Sequence, residues 1–347
     1  MVARCKSGRV RSSLNTSISL RKIVSLTFKI QAKTYPTRGS FTISRSSISQ
    51  IEIVEVQISD GDNIGRGECR PYPRYGDSVK SVSKQLEGIR PFIQKGDFNK
   101  AINQLPPGPA RNAVDCAWLD FRAKQNDVPV WTAFDLPPPT PRETAFTLSW
   151  ASPNIMADAA IRAADHKFLK LKIGENGLDH VKAITAARPD AKLIIDANEA
   201  LTLNALETML SAFSNFNIAL IEQPLSAGHV EHLPSTHIPI CADEGLHTVD
   251  DLPELWRLGY RAVNVKLDKC GGLTAGVKLM QDAKDMGFLV MAGCMVSTSL
   301  AMAPMMIAES LCDVIDLDGP LLLSKDIENG LNYNGAIIHP PNASLWG

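Results

Sequence analysis

The chain has 347 residues, 44% of them hydrophobic, which is ordinary for a globular protein large enough to hold a full barrel and a smaller unit. A formal net charge of -1 excludes the broad basic surface that draws nucleic acid or an anionic membrane, and no apolar run approaches the length that spans a bilayer. We therefore expect a cytoplasmic protein with neither kind of partner. The seven cysteines form no Cys-x-x-Cys pair, which predicts reduced core thiols and no zinc site.

The N-terminal segment, residues 1–22, is basic and rich in serine, and the first acidic residue of the chain is Glu52. This composition resembles an organellar transit peptide. A start codon placed too far upstream, or a disordered tail, explains it equally well because no compelling cleavage site is visible. We treat residues 1–22 as a basic tail outside the folded domains and leave organellar targeting open.

The first folded unit is predicted to be an α+β domain over residues 23–140. Strand-like alternation of apolar and polar residues covers 26–59, which indicates an antiparallel start. A loop over 65–76 follows, too rich in glycine, proline and aromatic residues for a plain connection. Helices are predicted at 79–94 and 110–125. The three prolines at 137–139 mark a linker to the next unit.

The second unit, residues 141–318, is organised by short apolar strands that end in a charged residue. Lys172, Asp196, Glu222, Asp243 and Lys266 follow one another at intervals of 21 to 26 residues, each the length of one βα unit. Alternating strands and helices of this kind form a parallel barrel whose strands all end at one mouth. The fold class is therefore α/β, a modified TIM barrel of seven βα units plus a final strand. Its helices are predicted at 153–164, 179–187, 203–213, 249–258, 274–286 and 299–309. Residues 319–347 are predicted to be a tail that returns to the first domain.

Three carboxylates are predicted to meet at the barrel mouth, because Asp196, Glu222 and Asp243 end consecutive strands. Carboxylates at close range in a low dielectric repel one another strongly. A hard divalent cation removes that repulsion, and ligation by oxygen alone suits Mg²⁺ better than Zn²⁺. The sequence thus predicts one Mg²⁺ per active site, although any one of these residues alone could instead cap a helix.

Lysines form the other half of the predicted site. Lys170 and Lys172 leave the same face of their strand because side chains alternate with a period of two. Lys172 and Lys266 should face each other across the barrel axis, with burial, a second cation and the metal lowering the lysine pKa to about 7 to 8. Such a pair suits removal of a proton from carbon on one side of a substrate and its return on the other. The alternative is that these lysines only form salt bridges with the three carboxylates.

From about residue 26 to the C-terminus the chain resembles the enolase superfamily, muconate-lactonizing subgroup. The segments that carry the resemblance are Lys170-Leu171-Lys172, Asp196-Ala197-Asn198, Glu222-Gln223-Pro224, Asp243-Glu244 and Lys266-Leu267-Asp268-Lys269-Cys270-Gly271-Gly272. The resemblance implies that the first unit is a capping domain over the barrel mouth. It also implies that a divalent ion stabilises an enolate made by removing the proton α to a carboxylate or carbonyl.

Three further segments are similar to the dipeptide epimerases: 71–76, Gly293-Cys294-Met295 and Asp316-Leu317-Asp318-Gly319. This similarity implies a small dipeptide as the substrate, L-Ala-D/L-Glu of murein peptide metabolism foremost, and Cys294 and Met295 as residues of the substrate site. Asp316 and Asp318 would accept hydrogen bonds from the free α-ammonium of the dipeptide, although aspartates near a turn often cap backbone instead.

The remaining substrate contacts also come from the resemblance. Lys170 would bind the α-carboxylate together with the metal, and Arg45 the distal carboxylate of a glutamate side chain. Arg45 could instead be a surface arginine in a mobile loop. The chain departs from many members in having no acidic residue near Val296-Ser297, which leaves the fit of the substrate there open.

Two other functions stay open at this stage. A cycloisomerase or o-succinylbenzoate synthase would use the same lysines and metal but have no use for Asp316 and Asp318, since its substrate has no ammonium. A non-catalytic, metal-binding barrel would exchange no substrate proton with solvent. The sequence leaves homo-oligomerisation undecided.

Overall fold

The computed structural model describes residues 25–43, 46–174 and 177–347, so the predicted basic tail lies outside the described residues. The first unit opens with a three-stranded antiparallel sheet in the order β1-β2-β3. Its strands are β1 (Thr27–Ile43), β2 (Ser46–Ser59) and β3 (Ile64–Cys69). Alternate residues of β2, including Val54, Val56 and Ile58, enter one hydrophobic core. Ile51 and Ile53 instead pack on Leu323 of the C-terminal segment.

Three helices cover this sheet. They are α1 (Val79–Gln94), α2 (Phe98–Asn103) and α3 (Pro109–Asn126). Ser78 caps α1 because its hydroxyl accepts a hydrogen bond from the Ser81 N–H at 3.1 Å. Gly65 and Gly67 let β3 approach α3 closely, since a Cβ at either position would overlap a carbonyl oxygen of the helix. Residues 65–69 of the predicted loop are therefore part of strand β3, and Gly65 and Gly67 serve packing between this strand and the helix.

The second unit is the predicted parallel barrel, in the strand order β12-β11-β10-β9-β8-β7-β6-β5. Its strands are β5 (Phe146–Leu148), β6 (Phe168–Lys172), β7 (Lys192–Asp196), β8 (Ile218–Glu222), β9 (Ile240–Ala242), β10 (Ala262–Val265), β11 (Leu289–Gly293) and β12 (Val314–Asp316). A hydrogen bond of 2.8 Å from the Ala145 N–H to the Ile315 carbonyl joins the first and last strands. The barrel fold is confirmed.

Helices follow the first seven of these strands except β8, after which the described residues 223–239 lead to β9 without a helix, so one of the seven predicted βα units lacks its helix. The helices are α4 (Pro153–Arg162), α5 (Leu178–Ala187), α6 (Leu203–Phe213), α7 (Leu252–Leu258), α8 (Leu267–Cys270), α9 (Leu273–Asp285) and α10 (Ser299–Ile307). The helix predicted at 249–258 is divided, because its first three residues, Val249–Asp251, form a 3-10 turn. The sequence did not predict α8, since four residues are too short to show a helical period.

The C-terminal segment contacts both units. Its strand β14 (Ile337–Ile338) pairs with β13 (Tyr333–Asn334) and with β4 (Arg142–Glu143), which lies just before the barrel. The Trp346 indole N–H donates to the Arg66 carbonyl of β3 at 2.9 Å. We propose that the unit boundaries lie near residues 140 and 318. Within the described residues, no helix has the length and apolar character needed to cross a bilayer.

Candidate active site

The strand ends meet as the charge pattern predicts. Lys172 is in register with Asp196 on the neighbouring strand β7, and Asp196 is in register with Glu222 on β8. Asp243 comes directly after β9, and Lys266 directly after β10. These side chains therefore project from one end of the parallel sheet.

A cavity at this mouth collects most of the predicted site residues. Those that line it are Lys170, Lys172, Asp243, Lys266, Cys294, Met295, Asp316 and Asp318. Asp196 and Glu222 are buried, at 1% and 0% exposed, and do not line it. Arg45 lies outside the described residues, so its role stays a prediction. The capping domain completes the cavity with Ile48, Arg70, Tyr72 and Tyr75.

Lys170 bridges three carboxylates. Its Nζ lies 2.7 Å from Glu222 Oε2, 2.8 Å from Asp316 Oδ2 and 3.3 Å from Asp196 Oδ2. Burial alone would lower the pKa of Lys170, but the three carboxylates outweigh burial and hold the pKa well above its ordinary value. Lys170 is therefore a fixed cation, suited to holding an anion and unsuited to accepting a proton.

Asp243 is held between two other lysines. Lys266 Nζ lies 2.7 Å from its Oδ2, and Lys269 Nζ lies 2.6 Å from its Oδ1. Burial would lower the pKa of Lys266, but Asp243 and then Glu222 raise it well above the ordinary range. The protein groups alone therefore raise the pKa of Lys266, whereas the predicted lowering also included the charge of the metal. A divalent cation bound by Asp243 would weaken the hold of that carboxylate on the Lys266 proton.

The three predicted metal ligands have the right donor chemistry. All donate oxygen, and the Glu222 Oε2 atom is buried with no hydrogen-bond partner in the described part of the chain, although it has the Lys170 ion pair. Burial and the charge of Asp196 raise the pKa of Glu222 to about 7, so the carboxylates do repel one another. Across the described residues, no three acidic, His or Cys side chains are grouped as a ready metal site, and Lys170 lies between Asp196 and Glu222. The set fits one hard divalent cation by chemistry, and its ligand geometry stays a prediction.

Sequence reasoning missed the residues that position these carboxylates. Asn264 donates from Nδ2 to Glu222 Oε1 at 2.7 Å, and Gln223 accepts from the Asp243 N–H through Oε1 at 2.8 Å. The position of Asn264 could have been predicted to matter, because it is a polar residue in an apolar strand. It lies two residues before Lys266 and hence on the same face of the strand. Gly293 on β11 leaves room for the amide, because a Cβ there would overlap Asn264 Oδ1.

Asp316 and Asp318 form an acceptor wall of the cavity. Asp318 Oδ2 accepts from the Thr147 N–H at 2.6 Å, and burial followed by the charge of Asp316 raises the pKa of Asp318 to about 6. The Oδ2 atom of Asp316 accepts a hydrogen bond from Lys170, but its Oδ1 atom is buried and has no hydrogen-bond partner among the described residues. This wall therefore offers at least one acceptor to a ligand.

The family model described as Enolase C-terminal domain-like matches residues 155–343, which include every predicted lysine and carboxylate of the site. The chain belongs to the enolase superfamily.

Within the superfamily, two relatives carry names that bear on the substrate. The chain is 40% identical over 301 residues to N-acetyl-D-glutamate racemase of Pseudoalteromonas sp, covering 85% of this chain and 95% of that protein. It is 36% identical over 319 residues to L-Ala-D/L-Glu epimerase of Escherichia coli (strain K12), covering 90% of this chain and 99% of that protein.

A solved structure from Agrobacterium tumefaciens is similar over almost the whole chain. It is an enolase family member with homology to dipeptide epimerases, with bound sodium and L-Ala-L-Glu. The TM-score is 0.89 at 39% identity, and the match covers 93% of this chain and all of that one. Solved neighbours of this fold are complexed with magnesium or with sodium.

Proposed function

We propose that this chain is an isomerase that epimerises dipeptides at the α-carbon of the C-terminal residue, with L-Ala-D/L-Glu as the preferred substrate. Relatives that cover nearly the whole chain are named as an epimerase and a racemase of glutamate derivatives. In both names the reacting residue is a glutamate whose nitrogen is acylated. The proposal therefore needs an observation that distinguishes an alanyl group from other acyl groups.

The buried Asp316 Oδ1 atom carries that distinction. It lacks a hydrogen-bond partner in the described part of the chain and belongs to a residue that lines the cavity. An unsatisfied buried acceptor costs about 1 to 3 kcal/mol. The α-ammonium of a dipeptide brings three donors and a positive charge to Asp316 and Asp318, whereas an acetyl group brings neither. An alanyl substrate provides a donor for Asp316 Oδ1, and an acetyl substrate does not.

The lysines would then carry the chemistry. Lys170 binds and orients the α-carboxylate of the substrate as a fixed cation. Lys172 Nζ removes the α-proton on one face, and Lys266 Nζ delivers a proton to the α-carbon on the other, with the roles exchanged for the opposite epimer. The enolate formed between the two steps has lost the configuration at that carbon, so either product can form.

One Mg²⁺ is the proposed cofactor, held by Asp196, Glu222 and Asp243. When bound, a divalent cation supplies positive charge beside the substrate carboxylate and neutralises part of the negative charge of these three acids. Lys266, which pairs with Asp243, is then less strongly held in its protonated form. An all-oxygen donor set and the ions of the solved neighbours support this assignment.

Racemisation of N-acetylglutamate is the second candidate function, because the relative with that name is 40% identical to this chain. It needs the same lysines and the same metal. It differs only in giving Asp316 and Asp318 no ammonium to bind.

The two candidates are separated by proton exchange in D₂O. L-Ala-L-Glu and N-acetyl-L-glutamate are incubated with the protein and Mg²⁺, and α-deuterium and the opposite epimer are followed by NMR. We expect faster uptake and epimerisation with L-Ala-L-Glu, and none in either substrate with a Lys172→Ala, Lys266→Ala double variant. Faster turnover of N-acetylglutamate would establish the second candidate. No exchange in either substrate would contradict both and leave a cycloisomerase or a non-catalytic barrel.

Cytoplasmic location and a small-molecule substrate without nucleic acid or membrane partners remain part of the proposal. The sequence-based prediction that Arg45 binds the distal carboxylate concerns a residue outside the described ranges and stays a prediction.

A further inference from the structure

Arg70 enters the cavity from the capping domain, directly after β3. Its backbone N–H donates to Asp268 Oδ1 at 3.2 Å, and its Nη1 donates to the Val296 carbonyl at 2.7 Å. Both acceptors belong to the barrel unit. Asp268 is in turn fixed by the Asn112 side chain at 2.8 Å. The backbone of Arg70 and one edge of its guanidinium are therefore both held in place before any ligand binds.

The guanidinium of Arg70 forms no direct ion pair among the described residues, although Asp268 and Glu68 lie near enough to stabilise its charge. Within the described ranges its guanidinium makes no ion pair and no side-chain hydrogen bond beyond that to Val296, whereas Arg66 and Arg74 on either side pair with Glu55 and Glu199. Burial lowers its pKa, which shows that the charge is partly removed from water. A cation that is already desolvated in the free protein binds an anion favourably, because little further free energy is lost in removing water from it when the ligand binds.

The free edge of the guanidinium suits a carboxylate. With Nη1 bound to Val296, the Nε and Nη2 donors remain to form two parallel hydrogen bonds, the geometry in which arginine recognises a carboxylate. Val296-Ser297 provides no acidic side chain that would compete for this edge. Arg70, Val296, Lys170 and Asp316 all line the same cavity.

We infer that Arg70 binds the side-chain carboxylate of the reacting glutamyl residue and so selects acidic over neutral substrates. This inference rests on the proposed function, since it takes the α-carboxylate to be held by Lys170. The side-chain carboxylate is then the one remaining anion of the substrate, and Arg70 is the unpaired cation of the cavity among the described residues.

The test compares L-Ala-L-Glu with L-Ala-L-Gln, which has the same shape without the charge. Arg70→Gln should lower kcat/KM for L-Ala-L-Glu by about 30-fold or more, the usual loss for one partner of a shielded charge pair, and change L-Ala-L-Gln by less than about threefold. Arg70→Lys should restore part of the preference, because it returns the charge but not the two parallel donors. Affinities measured by calorimetry give the same Glu/Gln ratio independently of turnover.

Arg74→Gln is the matched control, since Arg74 lies in the same loop but does not line the cavity, and it should leave the Glu/Gln ratio unchanged. Arg45→Gln tests the other predicted arginine. A ratio that falls with Arg45→Gln but not with Arg70→Gln would overturn the inference and assign the contact to Arg45. A wild-type protein without preference for Glu over Gln would also overturn it. If no N-acyl amino acid exchanged its α-proton, the proposed function would fail, while the calorimetric ratio would still decide the role of Arg70.

Discussion

Replacing either Lys172 or Lys266 by alanine should abolish epimerisation without unfolding the protein. The fold should survive because each carboxylate keeps a second lysine. Asp196 retains Lys170 at 3.3 Å, and Asp243 retains Lys269 at 2.6 Å. Leaving a buried charge wholly unpaired costs about 3 to 5 kcal/mol, so we expect a smaller loss here, of about 1 to 2 kcal/mol.

The catalytic loss should be much larger. A positioned acid or base contributes roughly 10²- to 10⁴-fold in rate, which is about 3 to 5 kcal/mol of barrier. Because epimerisation needs a proton on both faces of the α-carbon, removing one lysine blocks it in both directions. Each variant should still exchange the α-proton of one epimer, the one whose C–H bond faces the remaining lysine.

The assay follows α-deuterium by NMR in D₂O, starting separately from L-Ala-L-Glu and L-Ala-D-Glu, with thermal melting as the measure of stability. Lys278→Ala is the matched control, because Lys278 is an exposed lysine paired with Asp282 on α9. The two-base reasoning is refuted if Lys266→Ala epimerises within tenfold of wild type, or if both variants exchange the same epimer. Loss of folding in either variant would contradict the expectation that the second lysine partner of each carboxylate keeps the protein folded.

Three further predictions concern the metal, the ammonium wall and the interface between the two units. Glu222→Gln should weaken Mg²⁺ binding at least tenfold by calorimetry, and exhaustive chelation should stop proton exchange in the wild type; full turnover after chelation would contradict metal dependence. Asp318→Asn should lower kcat/KM for L-Ala-L-Glu by roughly 10-fold or more and affect N-acetylglutamate less, because only the dipeptide loses a charged contact; equal losses would show that Asp318 supports the barrel rather than the ammonium. Burial raises the pKa of Glu68 from 4.5 to about 7 in the folded protein, so the folded state binds this proton more tightly than the unfolded state does. The resulting contribution to the free energy of unfolding is fully present below pH 4.5 and is lost as the pH rises towards 7. Glu68→Gln keeps a side chain that can hydrogen-bond to Thr298 but removes the titrating group. In urea titrations the free energy of unfolding of this variant should fall less between about pH 5 and pH 8 than that of the wild type. An unchanged slope would assign the fall to other groups.

The sequence by itself determined the barrel and the position of each charged strand end. Strands have a side-chain period of two, and βα units have a nearly constant length. The regular intervals between the charged strand ends therefore predict the barrel topology; these residues are Lys172, Asp196, Glu222, Asp243 and Lys266. Long amphipathic helices were equally readable, and the helices predicted at 79–94 and 203–213 have the same bounds in the structure.

Only the tertiary structure decided which charges pair and which stay unpaired. Sequence spacing gives the position of a residue along its strand, but an ion pair depends on distances between strands and on how far each side chain reaches. The three carboxylates around Lys170, and the pairing of Asp243 with Lys269 as well as Lys266, could not be read from spacing. Arg70 was hidden for the same reason. In the sequence it is one of several arginines near the capping loop. It becomes a distinct binding group only because β3 places its guanidinium against the Val296 carbonyl, where it forms no direct ion pair with the described carboxylates.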